Sequence, residues 1–411
     1  MPLFRNALRG IRAASIESPA LPLTSQTLVE WLGGAPTASG VAVTERSSLG
    51  MPAVWRAVNL IAGTSASLPL HAYRQGDGVR MRVAASSQAA RLLDTPHPDL
   101  TSFELWEIVY AHIALWGNAY LRVLRNQLGQ ITELWPIHPG RVRVGRETET
   151  ATKVFSVDGG EEELTERQIL HIPGFGYDGV CGVSPIRLAR QGIGLAVAAE
   201  EFGARLFGSG SLATGILQTE QRLEPKQADA LKARWKAKAS GLANSHEAIV
   251  LDAGAKFQQL SIPPEDAQFI ESRKFQIDEI ARMFGVPPHM LMQTDKSTSW
   301  GTGIEQQSIG FVVYTLRPWL TRVEQRVSRL LNPHAVYARY SVEGLLRGDS
   351  AQRSAFYREM WGIGAFSTND VRRLEDEPPV EGGDVRYRPL NMGVLGQDDA
   401  PTIAEEAPVD A

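Results

Sequence analysis

The chain reads as an α+β protein, and three features of its 411 residues say so. Apolar residues at helical spacing and at alternating strand spacing fall in separate blocks, not in a regular βαβ rhythm. Alternating runs such as AYLRVLRN and ITELWPIHP, divided by a turn at Leu128 and Gly129, predict antiparallel hairpins. A hydrophobic content of 43% with 21% charged residues is ordinary for a globular chain, and this length supplies enough of it for two or three domains.

Residues 1–45 scatter Pro, Ser, Thr and Gly around one apolar cluster, LVEWLGG, and predict a flexible arm. Its start carries Arg5, Arg9 and Arg12 without the apolar core of a secretory signal. Regular structure is expected from about Met51, where Val54, Ala57, Val58, Ile61 and Ala62 recur at helical spacing before LPLHAYR alternates as a strand. Thr101 and Glu104 match a capping box, and the helix they open should stop at Gly117. RVRVGR, KVFSVDGG and QILHIP continue the strand pattern. Pro185 suits a first helical position and opens a helix to about Phe207. Pro225 opens another, closing on Gly241.

EAIVLD and KFQQLSI are short strand candidates, too few to be stable without neighbours. Asp266 to Phe284 forms a helix with Ile270, Ile277, Ile280, Ala281 and Phe284 on one face. A bare polar loop, MLMQTDKSTSWGTG, separates it from helical spacing that runs from Ile304 for about 27 residues, roughly 40 Å. Pro318 should bend that long helix. RSAFYREMWGIG and AFSTNDVRRLE follow, with Ser367, Thr368 and Asn369 as caps. The end, GQDDAPTIAEEAPVDA, holds five acids and no base and predicts a disordered tail over 393–411.

Forty-two Lys and Arg against 46 Asp and Glu give a net charge of −4, which argues against a tight nucleic-acid binder. The single Cys181 rules out an internal disulfide and a cysteine zinc site, so a reducing compartment is the simpler reading. No run of 18 apolar residues predicts a membrane span. The eight His lack metal-ligand spacing, and no G-x-S-x-G or H-E-x-x-H occurs. Gly174, Gly176 and Gly179 in GFGYDG match G-x-G-x-x-G, but no helix starts within the run as a pyrophosphate site requires, and a glycine-rich turn is preferred. GSGSLATG lacks the lysine of a P-loop and reads as a hinge. The expectation is a chain with no catalytic residues, cofactor or metal.

Several stretches, in order, resemble the HK97-type portal proteins of tailed phages. They are VWRAVNLIAGTSASLPLHAYR, WGNAYLRVLRNQLGQITELWPIHPGRVRV, GVCGVSPIRLAR, DAQFIESRKFQIDEIARMFGVPPHML, TLRPWLTRVEQ and FSTNDVRRLEDEPPVEGGD, together covering about residues 46–392. The resemblance implies a dodecameric ring at a capsid vertex, built from a mixed wing, a helical stem, a small clip with strands and a helical crown. By position, 46–224 and 304–345 correspond to the wing, 225–241 and 266–286 to the two stem helices, and 242–265 to the clip. Residues 287–303 correspond to the tunnel loop and 346–392 to the crown. The short clip strands would find partners in the adjacent subunit.

It also implies double-stranded DNA in the channel, with the major capsid protein, terminase and a neck or adaptor protein as partners. The setting would be a virion of a phage, prophage or gene transfer agent assembled in bacterial cytoplasm, with no membrane involved. Gln293, Thr294, Asp295, Lys296, Ser297, Thr298, Ser299 and Trp300 would then face DNA. Mobility and near-neutral charge suit a surface that lets a duplex pass. Lys226, Lys232, Arg234, Lys236 and Lys238 form a stripe that is a solvated face on an isolated helix and a belt of charge in a ring. Trp235, Phe269 and Phe275 are expected subunit contacts. The rival readings are another oligomeric virion scaffold and a dinucleotide-dependent oxidoreductase.

Overall fold

A computed structural model describes residues 37–76, 79–147, 152–209, 215–218, 224–230, 233, 256–259, 266–292, 307–331, 335–342, 350–375 and 377–387. Order begins ahead of Met51, which corrects the expectation of an arm as far as residue 45. Thr37 and Val43 are buried, and the amide of Ala38 donates to Gln191 Oε1 at 3.0 Å. The reason is tertiary. Gly194 passes so close to Thr37 that a Cβ there would lie 2.5 Å from its hydroxyl, a contact no periodicity reveals. A four-residue helix, α1 (Glu45–Ser48), follows with a capping box from Thr44 and Ser47, and Glu45 pairs with Arg187 at 2.9 Å.

Helix α2 (Pro52–Ala66) buries the predicted Val54, Ala57, Val58, Ile61 and Ala62. Strands β1 (Leu70–Gly76) and β2 (Val79–Arg82) and helix α3 (Gln88–Asp94) come next. Helix α4 (Ser102–Trp116) has the Thr101–Glu104 capping box and stops at Gly117, whose φ of 74° closes the helix where a side chain would be strained. Then come β3 (Asn118–Arg125), β4 (Ile131–Ile137), β5 (Val142–Arg146), β6 (Lys153–Val157), β7 (Glu162–Thr165) and β8 (Ile169–Pro173). They make two antiparallel sheets, in the orders β4-β3-β8 and β5-β6-β7.

The predicted helix from Pro185 is two helices, α5 (Pro185–Leu188) and α6 (Arg190–Ser209), stepping at Ala189. Ser184 caps α5 through the amide of Arg187. Residues 225–230 are helical and exposed. Strand β9 (Gly215–Gln218) pairs antiparallel with β10 (Lys256–Gln259). The KFQQ strand has one neighbour in its own chain, GILQ, which begins at Gly215 where the predicted glycine hinge ends, and this pairing uses one edge of each strand. EAIVLD lies outside the described residues.

Helix α7 (Asp266–Phe284) buries Ile280, Ala281 and Phe284. The long helix after the polar stretch is described from 307. It holds a π-helical turn over Phe311–Leu316 and continues as α8 (Arg317–Leu331). Pro318 has no N–H for the carbonyl four residues back, and the helix answers by widening, with the amide of Arg317 reaching Val312. Strand β11 (Val336–Tyr340) returns to β1, giving the sheet order β11-β1-β2. One core joins Val54, Ala57 and Ile61 with Ile193, Ile280, Phe284, Val286, Phe311 and Leu316.

A second compact unit begins at Val342, and its described residues include helices α9 (Ser350–Gly362) and α10 (Thr368–Leu374). Ser367 caps α10 as predicted, in a capping box with Asp370. Asn369 is buried beneath the turn that follows. Its amide donates to the Val380 carbonyl at 3.1 Å, and its Oδ1 accepts from the Val380 amide at 2.8 Å.

Candidate functional site

The polar loop at 287–303 leaves α7 through Phe284-Gly285-Val286, and the sequence dictates how. Gly285 takes a φ of 68° and lets the Val286 amide reach back to the Ala281 carbonyl at 2.9 Å. Val286 then enters the core at 2% exposure. Two prolines set a 3₁₀ turn, Pro288–Leu291, that ends on Met292 in the left-handed region. From α2, Arg56 Nε donates to the Met290 carbonyl at 3.3 Å. Met290 and Leu291 pack against the core.

The far side of the loop is rooted in that core as well. Phe311 and Leu316 are buried, and Thr315 Oγ1 donates to the Gly285 carbonyl. Both feet of the loop are thereby fixed to one rigid body while its tip carries polar and small residues.

The tip residues Gln293, Thr294, Asp295, Lys296, Ser297, Thr298, Ser299 and Trp300 lie outside the described residues. So do Lys232, Arg234, Lys236, Lys238 and Trp235, and the side chain of Phe269. Lys226 sits in the exposed first turn of its helix. Phe275 is 55% exposed on α7, with the guanidinium of Arg282 5.7 Å from its ring centroid. Sequence reading missed three more exposed apolar side chains near the far foot: Ile309, Val313 and Tyr314.

The glycine-rich turn after β8 has its own explanation. The Gly174 amide donates to Gly117 O at 2.7 Å, and the Val183 amide to Phe175 O at 2.7 Å. Asp178 Oδ1 accepts from the amides of Val180 and Cys181. Asn118 receives the Gly182 amide at 2.8 Å on Oδ1 and returns a 2.7 Å bond to Gly182 O. Those amides are spent on the chain itself, whereas a pyrophosphate site needs them free. A Cβ on Gly182 would overlap Gly117 O, and one on Gly176 would overlap Cys181 O. These glycines serve backbone-on-backbone packing.

Under this turn His171 Nε2 lies 2.9 Å from Asn118 Oδ1 and its ring stacks on Tyr120 at 4.7 Å. Burial, with help from Lys153 and Arg326, pulls its pKa down to about 3. Burial, with His138 behind it, takes His112 down to about 4. Both are neutral structural histidines near pH 7. Among the described residues no group of three or more His, Cys, Asp or Glu is placed to hold a metal, and no helix is long and apolar enough to cross a membrane.

The family model described as phage portal protein matches residues 52–376. The chain is 36% identical over 354 residues to the portal protein of Enterobacteria phage HK97, covering 84% of this chain and 83% of that one. It is 33% identical over 391 residues to the probable portal protein of Streptomyces phage phiC31, covering 90% and 84%. Its fold resembles a chain in the neck of a native gene transfer agent particle computed with C12 symmetry. There the TM-score is 0.58 at 22% identity, over 87% of this chain and all of that one.

Proposed function

The chain belongs to the phage portal protein family, and from that premise we propose that it closes into a ring of about twelve copies at one capsid vertex. Double-stranded DNA passes through that ring during packaging and ejection. The chain docks terminase during filling and a neck or adaptor protein afterwards, and it sits against the major capsid protein. Its role is structural, with ATP hydrolysis belonging to the terminase. Residues 287–303 form the tunnel loop. Residues 225–241 and 266–286 form the stem, 242–265 the clip, 46–224 and 304–345 the wing, and 346–392 the crown. Phe275, Trp235 and Phe269 contact neighbouring subunits.

The observation that carries this reading is the span of the family match, which takes in both anchored feet of the loop and the helices that lead into it. The likeness to a chain of a neck with C12 symmetry supports a ring. A charge of −4 per chain sums to roughly −48 over twelve copies, a field that discourages sticking by a moving duplex.

Light scattering and negative-stain imaging of the purified protein test the ring. Twelve copies of a 45.0 kDa chain give particles of about 540 kDa with an axial hole. A chain that remains a single subunit, in solution and in virus-like particles, would overturn the reading.

A further inference from the structure

The sheet β11-β1-β2 buries one face and leaves the other half-buried to exposed. Leu70, Ala72, Val336, Ala338 and Tyr340 fill the buried side. Register settles what lies opposite. His71 faces Arg339 and Tyr73 faces Tyr337. Across the other edge of β1, Tyr73 faces Arg82 and Gln75 faces Arg80. Directly opposed residues share a face, as do residues two apart. Three arginines from two outer strands therefore flank an aromatic row on the middle of the sheet.

The geometry holds one of those cations, Arg80, in place. Tyr73 and Tyr337 stack at 6.0 Å with 28° between their planes. The Arg80 guanidinium sits 5.0 Å from the Tyr73 ring centroid, an arrangement that steadies the group while leaving its N–H donors to solvent. Arg80 and Arg82 are exposed and Arg339 is half-buried. Some surface arginines elsewhere are neutralised, among them Arg122 by Glu162, Arg141 by Asp158, Arg187 by Glu45 and Arg372 by Glu377. Among the described residues Arg80, Arg82 and Arg339 have no carboxylate within ion-pair distance. Asp94, at the end of α3 on the His71 side, offsets part of the local charge.

An acidic peptide would need only the charge. Guanidiniums spaced across a sheet face with tyrosine hydroxyls between them match the regularly spaced phosphates of a DNA duplex, which arginine and tyrosine side chains both contact. We propose that this face is a nucleic-acid contact surface, separate from the channel loop, on which Arg80, Arg82 and Arg339 bind phosphates of DNA and Tyr73 and Tyr337 support the backbone between them.

The test is fluorescence anisotropy of a labelled 20-base-pair duplex with the full-length protein across a salt series. The triple variant Arg80→Gln, Arg82→Gln, Arg339→Gln should bind at least tenfold more weakly. Its slope of log K against log salt should be shallower by about 2.7, from about 0.9 for each phosphate left without its arginine. Arg373→Gln, which removes a charge from the second unit, should leave both unchanged. Arg82→Gln alone alters one exposed side chain and should lower the slope by about 0.9, which keeps the test valid if the triple variant misfolds. An unchanged slope in the arginine variants overturns the proposal. So does an equal loss in Arg373→Gln, or polyglutamate competing with the duplex at equal charge concentration. Light scattering on the same samples reports ring closure separately, so a failed ring and a failed contact face are told apart.

Discussion

The hydroxyl of Thr315 donates a 2.5 Å hydrogen bond to the carbonyl of Gly285, joining the two feet of a loop 30 residues apart in sequence. At the end of a helix that carbonyl is one of the groups left without an intrahelical partner. Thr315→Val keeps the shape and removes the donor, so it should cost about 1 kcal/mol in urea unfolding. It should also speed hydrogen exchange at Val286, whose amide bond to Ala281 depends on the Gly285 conformation. Exchange as slow as wild type would mean that the foot is held by packing alone.

Gly182 and Gly179 lie in the same turn and should respond differently to alanine. At Gly182 the new methyl would collide with Gly117 O and come 2.6 Å from Gly174 N, both backbone atoms that cannot step aside. A loss of at least about 3 kcal/mol is expected, seen as poor solubility or a sharply lower Tm. Gly179 has open space around it but a φ of 68°, so Gly179→Ala should cost only about 1 kcal/mol. Dinucleotide added to wild type should leave Tm unmoved, because the amides of Gly174, Val180, Cys181, Gly182 and Val183 bond to the chain itself.

Much of this was legible in residues. The Thr101–Glu104 box, the stop at Gly117, the Ser184-Pro185 helix entry and the alternation of β3 and β4 are local signals, and local signals survive folding. Strand β7 was hidden because EEELT shows one apolar side chain, which is all an edge strand over Phe155 requires. Strand β9 was hidden by neighbouring glycines, its identity resting on a partner far along the chain. The order of Thr37–Val43 depends on the close pass of Gly194. The loop's polar composition was plain from the start, but its shared anchorage was not, since Arg56, Thr315 and Gly285 meet only in three dimensions.

Acid should destabilise the first unit through its buried histidines. The folded chain keeps His171 unprotonated down to about pH 3 and His112 to about pH 4, while the unfolded chain takes up both protons near 6.5. Between those limits the unfolded state binds more protons, so stability is full above about pH 6.5 and falls as pH drops. Each histidine contributes up to about 1.4 kcal/mol per pH unit in its window. His171→Gln, which retains a donor for Asn118, should flatten the acid limb of a Tm-against-pH curve. An equally steep limb in that variant would assign the acid loss to other groups.

In the second unit, Asn369 is the residue on which the turn after α10 depends. It is 3% exposed and satisfies both backbone groups of Val380, while Gly383 passes so close that a Cβ there would strike its side chain. Asn369→Ala leaves the Val380 amide unpaired and takes from its carbonyl one of two donors, the Gly383 amide being the other, and should cost about 1 kcal/mol locally. The check is limited trypsin digestion, where cleavage after Arg386 should accelerate. The first unit's Tm should stay where it was, since the two units fold around separate contacts.

The tunnel-loop reading predicts a separation of assembly from transport. Asp295 offsets Lys296 in the loop sequence, and a surface that lets a duplex slide must not hold phosphates firmly. Replacing Asp295 and Ser297 by Lys changes the loop by three positive charges per copy. Because the loop's feet are anchored by Val286, Phe311 and the Gly285–Thr315 bond, rings should form at wild-type yield. DNA packaged per particle, measured by nuclease protection, should drop severalfold, and high salt should partly restore passage by screening the added charges. Normal packaging by this variant would place residues 293–300 away from the DNA path, whatever the ring itself does.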